Sequence, residues 1–368
     1  MKHSTNEDLS RRFYILNAVV AVVLLAAIFI SISQFGAEAW HGKKQIALII
    51  PGEKNQLGWN KSQYLAAKNA CDEFNYDLVI RENISSDYEI CKRTADELSQ
   101  RGINTIVFAN GCLLKNISEF EKIYPKINFT TIESISALHT GGRYSILSFE
   151  GSYLAGILAG LHTKTNKIGY VAPFVDPEIN QGINAFVLGV QRVNPNAEIL
   201  LNWTGGWNNP SNEEQAVQNL KARRVDVLTY HQNGETVPNI CERAAINFIA
   251  FNENYPTNKY CLAAIKINWN EAYMDFIKYS NSSELKANYA FGINQGLVDF
   301  EVTDKINKRE KVLIDTALWE IKNGRLIFAG EIFDRYDIKK CSANEAISLQ
   351  SLQTKMDWLI KGVRIVGN

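Results

Sequence analysis

The residues of this chain best suited to chemistry are amides and indoles placed after apolar runs. Asn55, Gln56 and Trp59 follow the run at 46–50, Asn110 follows the run at 105–109, and Glu150 stands just before Tyr153, Leu154, Ile157, Leu158 and Leu161. Further along, Trp207 and Asn208 follow a run at 198–203, His231 and Gln232 follow 226–230, and Asn252 follows 247–251. Trp269 and Gln295 come after later runs. In open α/β sheets ligands collect at the carboxyl ends of the strands, so these loops are the candidate binding positions. Indole faces stack on flat rings, at about 1 to 3 kcal/mol per base. Amides of Asn and Gln can pair bidentately with an adenine edge. The set therefore suits a flat heterocycle. Plainer roles stand beside this one: Asn amides form turns, Glu150 can cap its helix, Trp269 can pack between lobes, and a lone His such as His231 commonly sits hydrogen-bonded in a core.

Signatures of turnover are missing from the sequence. It contains no GxSxG elbow, no HExxH pair, no GxxxxGK[ST] loop and no GxGxxG after the first apolar run. No paired carboxylates stand at the run ends. The reading is therefore binding without catalysis, with no cofactor and no metal, in a cleft that closes by hinge motion. Lys+Arg and Asp+Glu both number 39, so nothing favours a polyanion, and nucleic acid is not expected as a partner.

The elements that must position these residues alternate. Strands are expected at 46–50, 76–80, 105–109 and 128–132, with helices at 60–75, 87–101 and 118–124 between them. After a crossing at 144–149 the rhythm resumes with a helix, strand 167–171, helix 179–193, strand 198–203, helix 212–222, strand 226–230, helix 237–245 and strand 247–251. A strand at 262–267, a helix at 270–279, a strand at 287–292, a helix near 304–322, a strand or hairpin at 325–335 and a helix at 350–361 complete the chain. Such alternation predicts an α/β protein with a doubly wound parallel sheet in each of two lobes. The expected division is 1–42 as cytoplasmic tip, membrane or signal segment and linker, 43–148 plus about 254–290 as lobe 1, and 149–253 plus about 291–368 as lobe 2.

The amino terminus points to export. Arg11 and Arg12 precede an apolar stretch at 13–32 broken only by Asn17 and Ser31, long enough for a bilayer span of about 20 residues. Ala37-Glu38-Ala39 offers a signal-peptidase site, so the segment is either an uncleaved anchor to the inner or plasma membrane or a removed signal. Either outcome places residues from about 43 onward in the periplasm or at the cell exterior. Six Cys lie in that part, where disulfides are permitted; Cys241 with Cys261 is the favoured pair, and buried free thiols are the alternative.

Four segments carry a resemblance: Gly58-Trp59 at the end of the first loop, FEGSYLAGILAGLHTKTNKIGYVAPFVDPEINQGINAFVLGVQRVNP from Phe149, WTGGWNNPSNEEQA from Trp203, and AFGINQGLVD around Gln295. With these the chain resembles the BMP (basic membrane protein) family of substrate-binding proteins, a group that includes purine-nucleoside-binding components of ABC importers. The resemblance implies a type I periplasmic-binding-protein fold, two Rossmann-like lobes with parallel sheets joined by three crossings, with a small-molecule ligand enclosed between them and an ABC permease as partner. Carried over by residue, the family's first-loop aromatic falls on Trp59, its crossing acid on Glu150, the second-lobe loop Trp on Trp207 and the late-loop Asn on Asn252. Where many members have Asp in the first loop this chain has Asn55-Gln56, and where many have Lys-Asp it has Asn294-Gln295. Amides thus replace the acids that would hold a ribose, which favours a free base such as adenine or an altered ligand. A membrane-anchored sensing module signalling to a partner protein is the alternative to transport.

Overall fold

The computed structural model describes residues 19–20, 22–26, 43–112, 116–132, 136–139, 142–252, 255, 257–280 and 289–367. Most of the stretch expected to form a membrane segment, 13–32, lies outside the described residues. Among the described residues no helix is long and apolar enough to cross a membrane.

Continuous apolar runs fix the first sheet. β1 (Gln45–Ile49) is buried from Ile46 onward and pairs in parallel with β2 (Asp77–Arg81) on one side and β3 (Thr105–Phe108) on the other. Helices α1 (Trp59–Glu73), α2 (Tyr88–Gln100) and α3 (Ile117–Ile123) connect these strands and β4 (Asn128–Ile132). An antiparallel hairpin, β5 (Ser136–His139) and β6 (Gly142–Ile146), follows β4. Phe108, Phe120 and Phe129 interlock under this sheet with centroids 5.5 to 6.2 Å apart, contacts that add about 0.5 to 1.5 kcal/mol per pair beyond area burial.

The chain then crosses at Leu147 into α4 (Ser148–His162), which is followed by β7 (Lys167–Ala172), α5 (Pro177–Val193) and β8 (Glu198–Trp203). Asp176 caps α5 by accepting from the Glu178 N–H at 2.9 Å, and Pro177 occupies its first turn, where a missing N–H costs nothing. The second lobe continues through α6 (Pro210–Ala222), β9 (Val227–Tyr230), α7 (Thr236–Ala244), β10 (Asn247–Phe251) and β11 (Cys261–Ile267). The chain returns to the first lobe in α8 (Trp269–Ser280) and β12 (Tyr289–Phe291), and crosses a third time into β13 (Val298–Val302) and α9 (Lys308–Lys322). The resulting sheets run β12-β6-β5-β4-β3-β1-β2 and, counting the last strand β16 (Val363–Ile365), β13-β11-β10-β9-β7-β8-β16. This is the expected α/β architecture of the type I periplasmic-binding-protein fold.

Several expectations need correction. The strand expected at 262–267 and assigned to the first lobe runs Cys261–Ile267 and pairs in parallel with β10 of the second, so the return crossing comes at Asn268. The helix expected from 304 begins at Lys308 because Asn307 and Glu310 form a capping box. The terminal helix stops early as α10 (Leu349–Lys355), and the chain turns to add β16 beside β8. In place of the strand or hairpin expected at 325–335 stands a later antiparallel pair, β14 (Ile332–Phe333) and β15 (Lys339–Cys341). Cys241 and Cys261 form no disulfide; all six Cys are buried free thiols, Cys241 on the buried face of α7 and Cys261 at the start of β11. The carboxy-terminal tail is sewn to the second lobe by amides: Asn180 donates to the Met356 carbonyl, Asn184 to the Trp358 carbonyl and Asn202 to the Val366 carbonyl.

The close approach of α4 and α5 explains the small residues in both. A methyl group added to Gly156 would collide with the Phe186 carbonyl, and one added to Gly189 with the Tyr153 carbonyl. Backbone cannot withdraw as a side-chain tip can. Gly156→Ala and Gly189→Ala are each expected to cost about 2 to 3 kcal/mol or more in urea unfolding, and an unchanged midpoint in either variant would contradict this packing.

Candidate functional site

Seven of the ten sequence-predicted positions line one cavity of about 380 Å³ between the lobes: Gln56, Trp59, Asn110, Trp207, Asn208, Asn252 and Trp269. That volume is in the range of small-molecule sites. The first lobe supplies one aromatic wall. Trp59 opens α1, donates its indole N–H to the Ala109 carbonyl at 2.8 Å, and meets Trp269 edge to face at 5.2 Å. Trp269 in turn donates to Asn252 Oδ1 at 3.3 Å. Asn252 holds a left-handed backbone, φ 62°.

The second lobe supplies the other wall. Trp207 lies edge-on to His231 at 5.6 Å, and the His231 ring stacks against Phe251 at 4.0 Å. The Trp207 loop is fixed from below by buried Gln232: with its amide turned so that donors meet acceptors, Gln232 donates to the Gly206 and Trp207 carbonyls and accepts from Thr204. The Asn233 N–H adds a bond to the Trp207 carbonyl at 2.8 Å. The lobes meet at the cavity rim, where Gly58, at φ 87°, faces the backbone of Gly234 so closely that a methyl group would reach 3.0 Å from the Gly234 nitrogen.

Three predicted positions lie elsewhere. Asn55 is exposed and does not line the cavity. Glu150 falls in the first turn of α4, whose N-cap is Leu147, so it neither caps by side chain nor lines the cavity. Its carboxylate accepts from the Ile293 N–H at 2.7 Å. Burial pushes its pKa up, and the Ile293 N–H pulls it partly back. Gln295 accepts from the Gly292 N–H at 2.9 Å. Both therefore belong to the crossings. Asn110 lines the cavity with its amide already engaged, donating to the carbonyls of Ile84 and Ser85 and accepting from the Cys112 N–H at 3.3 Å.

Other lining residues emerge only in three dimensions. Asn60, in the first turn of α1, spends its Nδ2 on Gln56 at 2.7 Å, while its buried Oδ1 has no partner among the described residues. His231, 2% exposed, has neither ring nitrogen hydrogen-bonded among the described residues. From sequence alone His231 stands at a strand end, where a hydrogen-bonded core role is the plainer expectation. None of the described lining residues carries a charge. The arrangement can stack a flat ring and offer it amide and imidazole groups, and it contains no nucleophile paired with a base.

Two lobes of mostly parallel sheet, three crossings and an aromatic cleft at the strand ends define a ligand-binding protein of the periplasmic type. The chain belongs to the Bmp family, described as ABC transporter substrate-binding protein PnrA-like, whose profile matches residues 43–327. This is a family of extracytoplasmic substrate-binding proteins, which implies a small-molecule ligand and a permease partner. A purine-binding protein of Brucella abortus is 24% identical over 336 residues, covering 89% of this chain and 95% of the relative. The transcriptional activator protein Med of Bacillus subtilis is 21% identical over 76% of this chain and 89% of its own. Among solved structures, a solute-binding protein of an ABC transporter system from Aeropyrum pernix superimposes with a TM-score of 0.65 at 15% identity, covering 77% of this chain and 92% of that one.

Burial lowers the His231 pKa from 6.5 to about 3. Between those values the unfolded chain binds a proton that the folded chain refuses, so this group makes stability fall as pH falls below 6.5. Replacing it with Phe removes that dependence. The stability gap between His231→Phe and the parent, measured by urea unfolding, is expected to shift in favour of the variant by about 1.4 kcal/mol per pH unit below 6.5. A gap that stays constant from pH 7 to pH 5 would mean that His231 protonates freely in the fold.

Proposed function

We propose that this protein captures an uncharged flat heterocycle, a purine base or a nucleoside-like relative of one, and delivers it to an ABC importer. The carrying observation is the cavity itself: indoles from both lobes face an interior whose described lining has amides, an imidazole and no charged side chain. The similarity to the purine-binding protein of Brucella abortus supports a purine. Among the described residues no carboxylate lines the cavity, which favours the free base over the nucleoside, because a ribose offers hydroxyl donors that acids hold best. On this reading residues 13–32 tether the receptor to the membrane, or release it if the chain is cleaved after Ala39.

A second reading, a sensing module that reports occupancy to a partner protein, draws on the similarity to the Bacillus activator. Uptake of radiolabelled adenine by cells with and without the gene separates the two: loss of uptake on deletion favours transport, and unchanged uptake favours sensing. Calorimetry with adenine, guanine, hypoxanthine and their nucleosides tests the ligand class. Heat and thermal stabilisation are expected from at least one base, larger than from its nucleoside; no response from any of them would refute the class. Trp59→Ala should weaken binding of that base by about 1 to 3 kcal/mol, the worth of a stacking partner, and unchanged affinity would remove Trp59 from the site.

A further inference from the structure

Buried polar atoms without partners cost stability, and each one in a native fold asks for an explanation. Across the cavity two such groups stand on opposite lobes. From the first lobe comes Asn60 Oδ1, whose partner nitrogen is occupied by Gln56. From the second comes the whole imidazole of His231, held between Phe251 and the edge of Trp207. Packing alone does not require nitrogen here, since a phenyl ring would make the same two aromatic contacts.

The surroundings distinguish the two ring nitrogens. A methyl group placed on Gly182 of α5 would sit 3.4 Å from Tyr170 Oη, 3.6 Å from His231 Nδ1 and 3.6 Å from Ser152 Oγ. Nδ1 thus faces a polar point inside the second lobe, formed by β7, α4 and α5. Nε2 is the ring's other unpartnered nitrogen; it too is buried, in a side chain that lines the cavity. We infer that His231, through Nε2, is the residue that selects the ligand by its ring edge, with Asn60 Oδ1 accepting from a donor on the opposite edge. This inference rests on the heterocycle reading above and deepens it: the ligand is a neutral ring that presents an N–H or amino donor to Asn60 and a complementary ring nitrogen or N–H to His231. Purine bases with an exocyclic amino group have that pattern, and simple sugars lack the flat edge it requires. The imidazole stays neutral across physiological pH because burial holds its pKa near 3, so it offers one donor and one acceptor and no charge.

The test uses the full chain with adenine as probe, in calorimetry and in thermal unfolding. His231→Phe is expected to leave the melting temperature of the ligand-free protein unchanged or raised, since it removes unpartnered polar atoms, while weakening adenine binding by about tenfold or more. His231→Gln, which keeps a donor and an acceptor, should lose less affinity than His231→Phe. In wild-type protein labelled with 15N-histidine, adenine should shift the Nε2 resonance of His231. If the parent binds adenine while His231→Phe binds it equally well, the inference is overturned and the heterocycle reading stands. If His231→Phe fails to fold, an Nε2 resonance that does not respond to adenine overturns it in the same way. If the parent binds none of the bases, the heterocycle reading and the inference fall together.

Discussion

The mobility this fold can have is set by how three passages of chain are tied where they cross between the sheets. The Glu150 carboxylate of the first crossing accepts from Ile293 in the third, and the Leu147 N–H donates to the Phe291 carbonyl at 2.8 Å. The second crossing joins them through the Asn268 N–H and the Leu297 carbonyl, also at 2.8 Å. Gly292 leaves room at this knot for the Glu150 carboxylate, which a Cβ there would displace from the Ile293 N–H. A carboxylate so buried, accepting from a backbone N–H, is costly to break, so relative motion of the lobes must pivot about this knot rather than pass through it. The cleft is tied to that pivot: Trp269 opens the helix immediately after the second crossing, and α4 carries the first crossing into the second lobe against α5.

From this geometry follows the division of labour within the cleft. Residues that look alike in sequence do different work. Asn110 is consumed in holding loops, Asn252 supports Trp269, and Gln232 props the Trp207 loop, while Asn60 and His231 keep polar atoms unspent. A cleft that stacks a ring with indoles and leaves a few unpaired polar atoms gains selectivity from the cost of leaving those atoms unpaired by the wrong ligand. The described lining is neutral and fits a neutral cargo, because an isolated charge moved among these residues would lose its hydration without finding a counter-charge.

The sheet strands of both lobes were legible because central parallel strands are continuous apolar runs bounded by turn residues, as at Ile46 to Ile49 and Phe248 to Phe251. Trp59 and Trp207 were legible as ligand candidates because strand-end loops place them at the cleft by topology. The short strands β5 and β16 were not, since three or four residues such as Val363 to Ile365 take their conformation from a partner strand far away in sequence. Glu150 could be read as a carboxylate at a helix start, but its partner Ile293 lies 143 residues on, and sequence spacing carries no sign of it. His231 was visible at a strand end; that its nitrogens lack partners follows only from what packs around it. The six thiols illustrate the same limit, because pairing depends on distances between elements that periodicity does not specify.

The central claim is that a neutral heterocycle lies between the aromatic walls of the two lobes, and a crystal structure of the protein grown with adenine tests it most directly. The account predicts planar density between Trp59 and Trp207, with ring-edge atoms within hydrogen-bond distance of His231 Nε2 and Asn60 Oδ1. Adenine bound elsewhere, or a cleft without planar density at saturating adenine, would contradict it.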